Sequence, residues 1–326
     1  MKIGVIIQGP THEDSIKLTL KKSLEFLTKH FDKDSIVIST CSKGQILNDI
    51  GINYVVHDSN SYLNSEKFDI LNVSNIFRQS NSVKFGLDYL EARGFTHAIK
   101  IRTDEYYRGY GKLLERLRNT DKIICSNMIC SVAMPFHIGD HLIAGEISKL
   151  KMMFGSIVRP IKLSFIKNDG FYKSFKEAEL INKQLGFKRR KLQFNELNVE
   201  PVLALSYLNN LENNIGPEMN RYVFDKYFDI FNVLEFDDFY CISNNLNFCI
   251  NKNGFKLLIN PETRYEALSN LVDKDNKILT DMAYSYFGEI AMSNDDIRPL
   301  SGYDSDLFVA RCAYWGLVGG NSENKK

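Results

Sequence analysis

The chain has 326 residues, with 41 Lys+Arg against 40 Asp+Glu and a formal net charge of +1. That balance argues against a nucleic-acid binder, which carries excess basic charge along one face. Its 44% hydrophobic and 25% charged residues exclude a disordered or fibrous chain, and the length predicts roughly two domains, or one α/β domain of about 200–250 residues with an appended region.

In chain order, Ile3-Gly4-Val5-Ile6-Ile7 reads as a buried strand, and Asp14 to Leu27 follows with Ile16, Leu20, Leu24 and Leu27 at helical spacing. Ser35 to Ser39 and Asn53 to Val56 are further β-branched strands, which gives the βαβ rhythm of an open parallel sheet. A helix is predicted over residues 75–93, with Ile76, Val83, Leu87 and Leu90 on one stripe. Ala98 to Arg102 is the next strand and carries Thr103-Asp104-Glu105 at its far end. A short helix over 110–117, a strand over 122–126, a loop at Pro135 to His141 and a helical pattern from Leu142 complete the first half. Gly155 to Pro160 breaks this texture, and beyond it helices are predicted over 173–185, 196–209 and 218–231. The expected organisation is a mostly parallel, Rossmann-like sheet domain over 1–155, a mainly helical or mixed region over 156–318 and a disordered tail over 319–326.

No apolar stretch reaches the roughly 18–20 residues needed to cross a bilayer, and the opening run turns polar at Gln8, too early for a secretory segment. A cytoplasmic location is expected. The six cysteines include no Cys-x-x-Cys pair, so buried free thiols are expected rather than a zinc ribbon or a disulfide framework.

Ligands of open α/β sheets bind outside the carboxyl ends of the strands. Those ends here are Gln8-Gly9-Pro10, Ser39-Thr40, His57-Asp58 and Arg102-Thr103-Asp104. There is no G-x-G-x-x-G after the first strand and no G-x-x-x-x-G-K-[ST], which argues against a dinucleotide dehydrogenase and a P-loop enzyme. A polar strand end with a carboxylate placed to hold a divalent cation against a diphosphate describes a GT-A-type glycosyltransferase. The usual Asp-x-Asp element reads Arg102-Thr103-Asp104 in this chain, and a turn cap at Asp104 is the plain alternative.

Five segments in order, Val5 to Pro10, Ile36 to Thr40, Asn75 to Leu87, Ile99 to Asp104 and Pro135 to Asp140, resemble the WavE family of lipopolysaccharide-synthesis proteins, with a fainter similarity at Val199-Glu200-Pro201. The resemblance implies a GT-A-like fold and transfer of a sugar from a nucleotide-sugar donor to a carbohydrate or lipid-linked glycan acceptor in lipopolysaccharide- or capsule-type biosynthesis. It implies Asp104 as a catalytic residue and as ligand to Mg²⁺ or Mn²⁺. It places Gln8, Gly9, Pro10, Ser39, Thr40, Asp58, Arg78, Gln79, Ser82, Arg102, Thr103, His137 and His141 on the donor side, and Tyr106, Tyr107 and Glu200 on the acceptor side. Glu105, Tyr106 and Tyr107 depart from the aliphatic residue usual after the family's acidic position.

Arg102 and Asp104 are expected on one face, as a salt bridge or as a phosphate clamp that supplements or replaces the metal. Arg78, Gln79 and Ser82 suit a diphosphate near a helix start, against exposed Arg and capping amides as the bland reading. Asp58 is either a nucleoside contact or an Asx-turn. Tyr106, Tyr107 and Tyr110, taken as exposed, suggest a stacking platform for a sugar ring. Asp140 is expected at a helix start, either as the base that takes the acceptor hydroxyl proton or as an N-cap. The competing classes are a metal-dependent hydrolase using His137, Asp140 and His141, and a non-catalytic nucleotide- or sugar-binding module. The basic run Lys188 to Lys191 is the one hint of a peripheral membrane contact.

Overall fold

A computed structural model of the chain describes residues 1–11, 14–41, 47, 51–57, 73–128, 130, 136–155, 199–212, 215, 217–242, 247–251, 254–258, 291 and 293–299. Asp58, Pro135, the run 188–191, the helix expected over 173–185 and the tail 319–326 lie outside the described residues.

The first half builds β1 (Ile3–Gln8), α1 (Asp14–Leu27), β2 (Ile36–Thr40), β3 (Asn53–Val56), α2 (Val73–Glu91), β4 (His97–Arg102), β5 (Glu105–Arg108), α3 (Gly111–Asn119), β6 (Ile123–Ser126), β7 (Gly139–Glu146) and α4 (Ile147–Gly155). The second contributes α5 (Val199–Leu208), α6 (Asn220–Tyr227), β8 (Phe228–Phe231), β9 (Asp238–Ile242), β10 (Asn247–Asn251) and β11 (Gly254–Leu258). A seven-stranded sheet runs β3-β2-β1-β4-β7-β6-β8, and a four-stranded antiparallel sheet runs β11-β10-β9-β5. Within the large sheet, only β7 runs against its neighbours. The expected mostly parallel α/β sheet flanked by helices is therefore the fold observed.

Alternate residues of each central strand feed two cores, as the pleat requires. Ile6, Val37, Ala98 and Ile143 pack with Val83, Leu87 and Leu90 of α2, Leu150 and Met153 of α4 and Leu203 of α5. Val5, Ile7, Ile38, Ile99 and Ile101 face Leu20, Leu24 and Leu27 of α1 and Leu113 and Leu117 of α3. Both faces of β1, β2 and β4 are covered, and so their sequences read as continuous apolar runs.

Two expected helices are corrected. The pattern from Leu142 belongs to β7, and its helix starts only at Ile147. Buried on both faces, Leu142-Ile143-Ala144 lacks the alternation that marks a strand, so periodicity alone does not separate it from a helix. The helix expected over 218–231 ends at Tyr227, because Phe228–Phe231 pairs with β6 and completes the sheet edge. Among the described residues, no helix is long and apolar enough to cross a membrane.

Candidate active site at the carboxyl edge of the sheet

The ends of β1 and β4 are pressed together. Gly9 sits at φ 142°, and a Cβ there would overlap the Thr103 hydroxyl, so glycine is required both by conformation and by space. The Thr103 amide donates to the Gln8 carbonyl at 3.0 Å, and the Gly9 amide donates to the Ser39 carbonyl at 3.3 Å. Gln8 is half-buried, Pro10 is exposed and Thr103 is buried.

Several expected donor-side residues are engaged in holding the fold. Ser39 Oγ donates to the Ser82 carbonyl at 2.6 Å, and Ser82 Oγ lies 2.6 Å from His57 Nε2. This buried chain ties the end of β2 to α2, and the Thr40 carbonyl accepts the His57 amide at 3.0 Å. Arg78 is exposed on α2, whereas its neighbour Gln79 is buried and Nε2 donates to Asp140 Oδ2 at 2.8 Å.

Asp140 reaches this edge because β7 is antiparallel, so the start of that strand, and not its end, lies beside the carboxyl ends of its parallel neighbours. The register between β6 and β7 shifts here: Cys125 pairs with Ile143 and Ser126 with Gly139, and residues 140–142 fall between. Bulges re-aim side chains, and this one sends Asp140 to α2 while His141 reaches β5. A Cβ on Gly139 would overlap the carbonyl oxygens of Ser126 and Met128. Asp140 is thus a strand residue and not the expected helix cap.

Around it lies a charge cluster. Lys100, fully buried on β4, donates Nζ to the Asp140 carbonyl and approaches that of His141 at 3.5 Å. Burial lowers the Lys100 pKa, partly opposed by Asp140. Burial also works against the charge of Asp140, but Lys100, then His141 and Arg102, outweigh it and hold the carboxyl well below the usual range. Arg102 donates Nε to Asp104 Oδ1 at 2.9 Å and Nη2 to Oδ2 at 2.7 Å, a bidentate pair in the turn after β4. Glu105, fully buried, accepts from Tyr107 Oη at 2.7 Å and from His141 Nδ1. Against its burial, His141 and Arg102 keep the Glu105 carboxyl low. His141 Nε2 stands 3.9 Å from Asp140 Oδ1. Glu200, half-buried in the first turn of α5, behaves oppositely: burial and then the charge of Asp140 raise it to about 8, against Arg102 and Lys100. Two neighbouring carboxyls with proton affinities pushed apart are equipped for acid–base work, and the guanidinium edge suits an anionic group.

The tyrosines are corrected. Tyr107 and Tyr110 are fully buried, Tyr107 with its ring 4.8 Å from those of both Phe236 and Phe239, because β5 is a strand of the second sheet and not an exposed loop. Tyr106 is half-buried against Phe26, ring centroids 5.5 Å apart. His137 is buried before β7, and among the described residues no three His, Cys, Asp or Glu side chains group as a metal site. Cys125 and Cys130 are buried free thiols and Cys41 is a half-buried one. The sequence reading passed over Lys100 and the partners of Glu105. A lysine inside an apolar central strand was the available signal.

The fold is α/β, a mostly parallel sheet flanked by helices, with the buried charged residues Lys100, Glu105 and Asp140 at its carboxyl edge. No family model matches the sequence, and no curated protein matches it. Among solved structures, a cytidylyltransferase from Leptospira borgpetersenii is similar at 16% identity and a TM-score of 0.30, over 48% of this chain and 64% of that one. A glycosyltransferase involved in glycosylation of the major capsid of PBCV-1 aligns at 11% identity and 0.29, over 48% and 66% of the two chains. Mouse xyloside xylosyltransferase 1 aligns at 10% and 0.30, over 49% and 71%. This chain thus spans less than two thirds of the cytidylyltransferase, and likeness at this level carries no argument about activity.

Proposed function

We propose that the protein is a nucleotide-sugar-dependent glycosyltransferase acting on a carbohydrate or lipid-linked acceptor in surface-glycan biosynthesis of the lipopolysaccharide or capsule type. One observation carries the reading: a guanidinium, Arg102, and a buried carboxyl, Asp140, share the carboxyl edge of a parallel sheet beside the tight Gly9 turn. Arg102 is a third exposed and presents its remaining N–H groups to the diphosphate, whose departing charge it balances. Asp104 orients that guanidinium through both carboxylate oxygens. The divalent cation implied by the resemblance does not fit this donor set, because the oxygens of Asp104 are already spent on a cationic partner and, among the described residues, no three His, Cys, Asp or Glu side chains group as a metal site.

The test is thermal shift with UDP, GDP and CDP, each with and without EDTA. A nucleoside diphosphate held at 100 times its dissociation constant raises stability by about 2.7 kcal/mol. Arg102→Ala is expected to abolish that shift while sparing the smaller one from the bare nucleoside, and EDTA to leave it in place. No stabilisation of the wild type by any of the three would refute the transferase reading.

A further inference from the structure

We propose that Glu105 and His141 are positioning residues that hold the Arg102 guanidinium in place for a diphosphate, with Glu105 Oε1 set between Arg102 Nε and His141 Nδ1. This role rests on the transferase reading, in which the guanidinium balances the charge of the departing diphosphate.

Asp104 by itself does not fix the guanidinium. It accepts from Nε at 2.9 Å and from Nη2 at 2.7 Å, but it sits in the turn that Arg102 opens, so the pair constrains only local geometry and moves with that turn. Glu105 is anchored more deeply. Its side chain is 0% exposed, and Oε1 stands 3.5 Å from Arg102 Nε, within ion-pair reach. Oε2 accepts from Tyr107 Oη at 2.7 Å, and Oε1 accepts from His141 Nδ1. One donor therefore comes from its own strand and the other from β7, and both are buried. Burial works against the Glu105 charge, but His141 and then Arg102 bring the carboxyl down to about 2, so the anchor is an anion.

Three strands thus meet at one carboxylate: β4 brings Arg102, β5 brings Glu105 and β7 brings His141. Each is held from outside the turn. β5 pairs with β9, which sets Tyr107 opposite Phe239, and the Tyr107 ring packs 4.8 Å from both Phe236 and Phe239. His141 is delivered by the bulge of β7, and its Nε2 stands 3.9 Å from Asp140 Oδ1, beyond hydrogen-bond length, so the contact with Glu105 is the one that ties the ring to the guanidinium. With Nε and one Nη2 proton turned to carboxylates, the Nη1 protons and the second Nη2 proton are left for phosphoryl oxygens. A side chain ordered before its ligand arrives loses less freedom on binding.

Two measurements on the full chain decide the matter. Side-chain NMR of protein labelled at arginine should show one Nε–H signal, absent from Arg102→Lys, that moves in Glu105→Gln and in His141→Ala. Affinity for UDP, GDP and inorganic pyrophosphate should fall about 10–100-fold in both variants, the scale of a lost charge-assisted contact, with affinity for uridine and guanosine unchanged. His141→Asn sets an amide donor near the place of Nδ1 and should recover most of both effects. His141→Gln, whose amide lies nearer the place of Nε2, should not. The His141 series makes the same comparison should Glu105→Gln fail to fold. An Arg102 signal that stays in place in these variants, or recovery by Gln and not by Asn, overturns the assignment, while diphosphate binding by the wild type keeps the transferase reading. Failure of the wild type to bind any diphosphate removes both.

Discussion

Asp104 holds Arg102 by two charge-assisted bonds, so its loss acts through the guanidinium. Asp104→Ala should leave the fold intact, because the pair lies in a turn at the sheet edge, and should lower turnover about 10²–10³-fold, the scale of one preorganised electrostatic group. Normal turnover in a folded variant would remove Asp104 from the site. Asp140→Asn tests the neighbouring carboxyl. Asn keeps the shape and one acceptor for Gln79 but removes the charge that raises Glu200. The titration of the Glu200 carboxyl carbon, followed by NMR, should then move to lower pH. An unmoved titration would show that the two carboxyls are not electrostatically linked. At this scale Arg102, Asp104, Asp140 and Glu200 were legible in the sequence as residues, while the partner of each was not, since Gln79 and Asp140 lie 61 positions apart.

At the scale of the element, β4 and β7 carry the site together, and their lysine and carboxylate stand or fall as a unit. Lys100→Met removes the largest of the charges that hold Asp140 ionised and leaves the Asp140 carbonyl without its Nζ donor, a change that should approach the roughly 3–5 kcal/mol lost when a buried charge pair is broken from one side. Adding Asp140→Asn removes the orphaned charge, and urea denaturation should show the double variant less destabilised than the sum of the singles by about 0.5–3 kcal/mol. Additive losses would mean that the two charges do not interact. The bulge makes its own demand. Gly139→Ala drives a methyl group into two backbone carbonyls and should cost at least about 2 kcal/mol, read as a lower urea midpoint. The strands β1 to β4 and helix α1 were readable because their apolar residues recur with a single period. β7 was not, because burial on both faces erases alternation and a bulge breaks whatever remains.

For the whole molecule, the raised Glu200 pKa has a consequence for stability. The folded state keeps a proton on this carboxyl up to about pH 8, whereas the unfolded state releases it near 4.5, so between those values the folded state binds more protons and stability falls as pH rises. Asp140 and Glu105 work the other way at lower pH, since their depressed pKa values add stability that is lost as pH drops below about 4. Measured from pH 4.5 to 8, the wild type should lose melting temperature relative to Glu200→Gln, and parallel curves would contradict the raised proton affinity.

The sequence by itself determined the class of fold and the polar character of the strand ends, because hydrophobic period and strand-end polarity are local properties of the chain. It also supplied the acidic and basic residues that line those ends. Tertiary structure alone decided which of them meet. The second half of the chain returns to the first through β8 on β6, β9 on β5 and α5 beside β7. These contacts bury Tyr107 against Phe236 and Phe239, while the pairing of β4 with β7 within the first half joins Lys100 to the Asp140 carbonyl. Such pairings depend on strand order, on the reversed direction of β7 and on its bulge, and none of these leaves a periodic trace in the residues that create them.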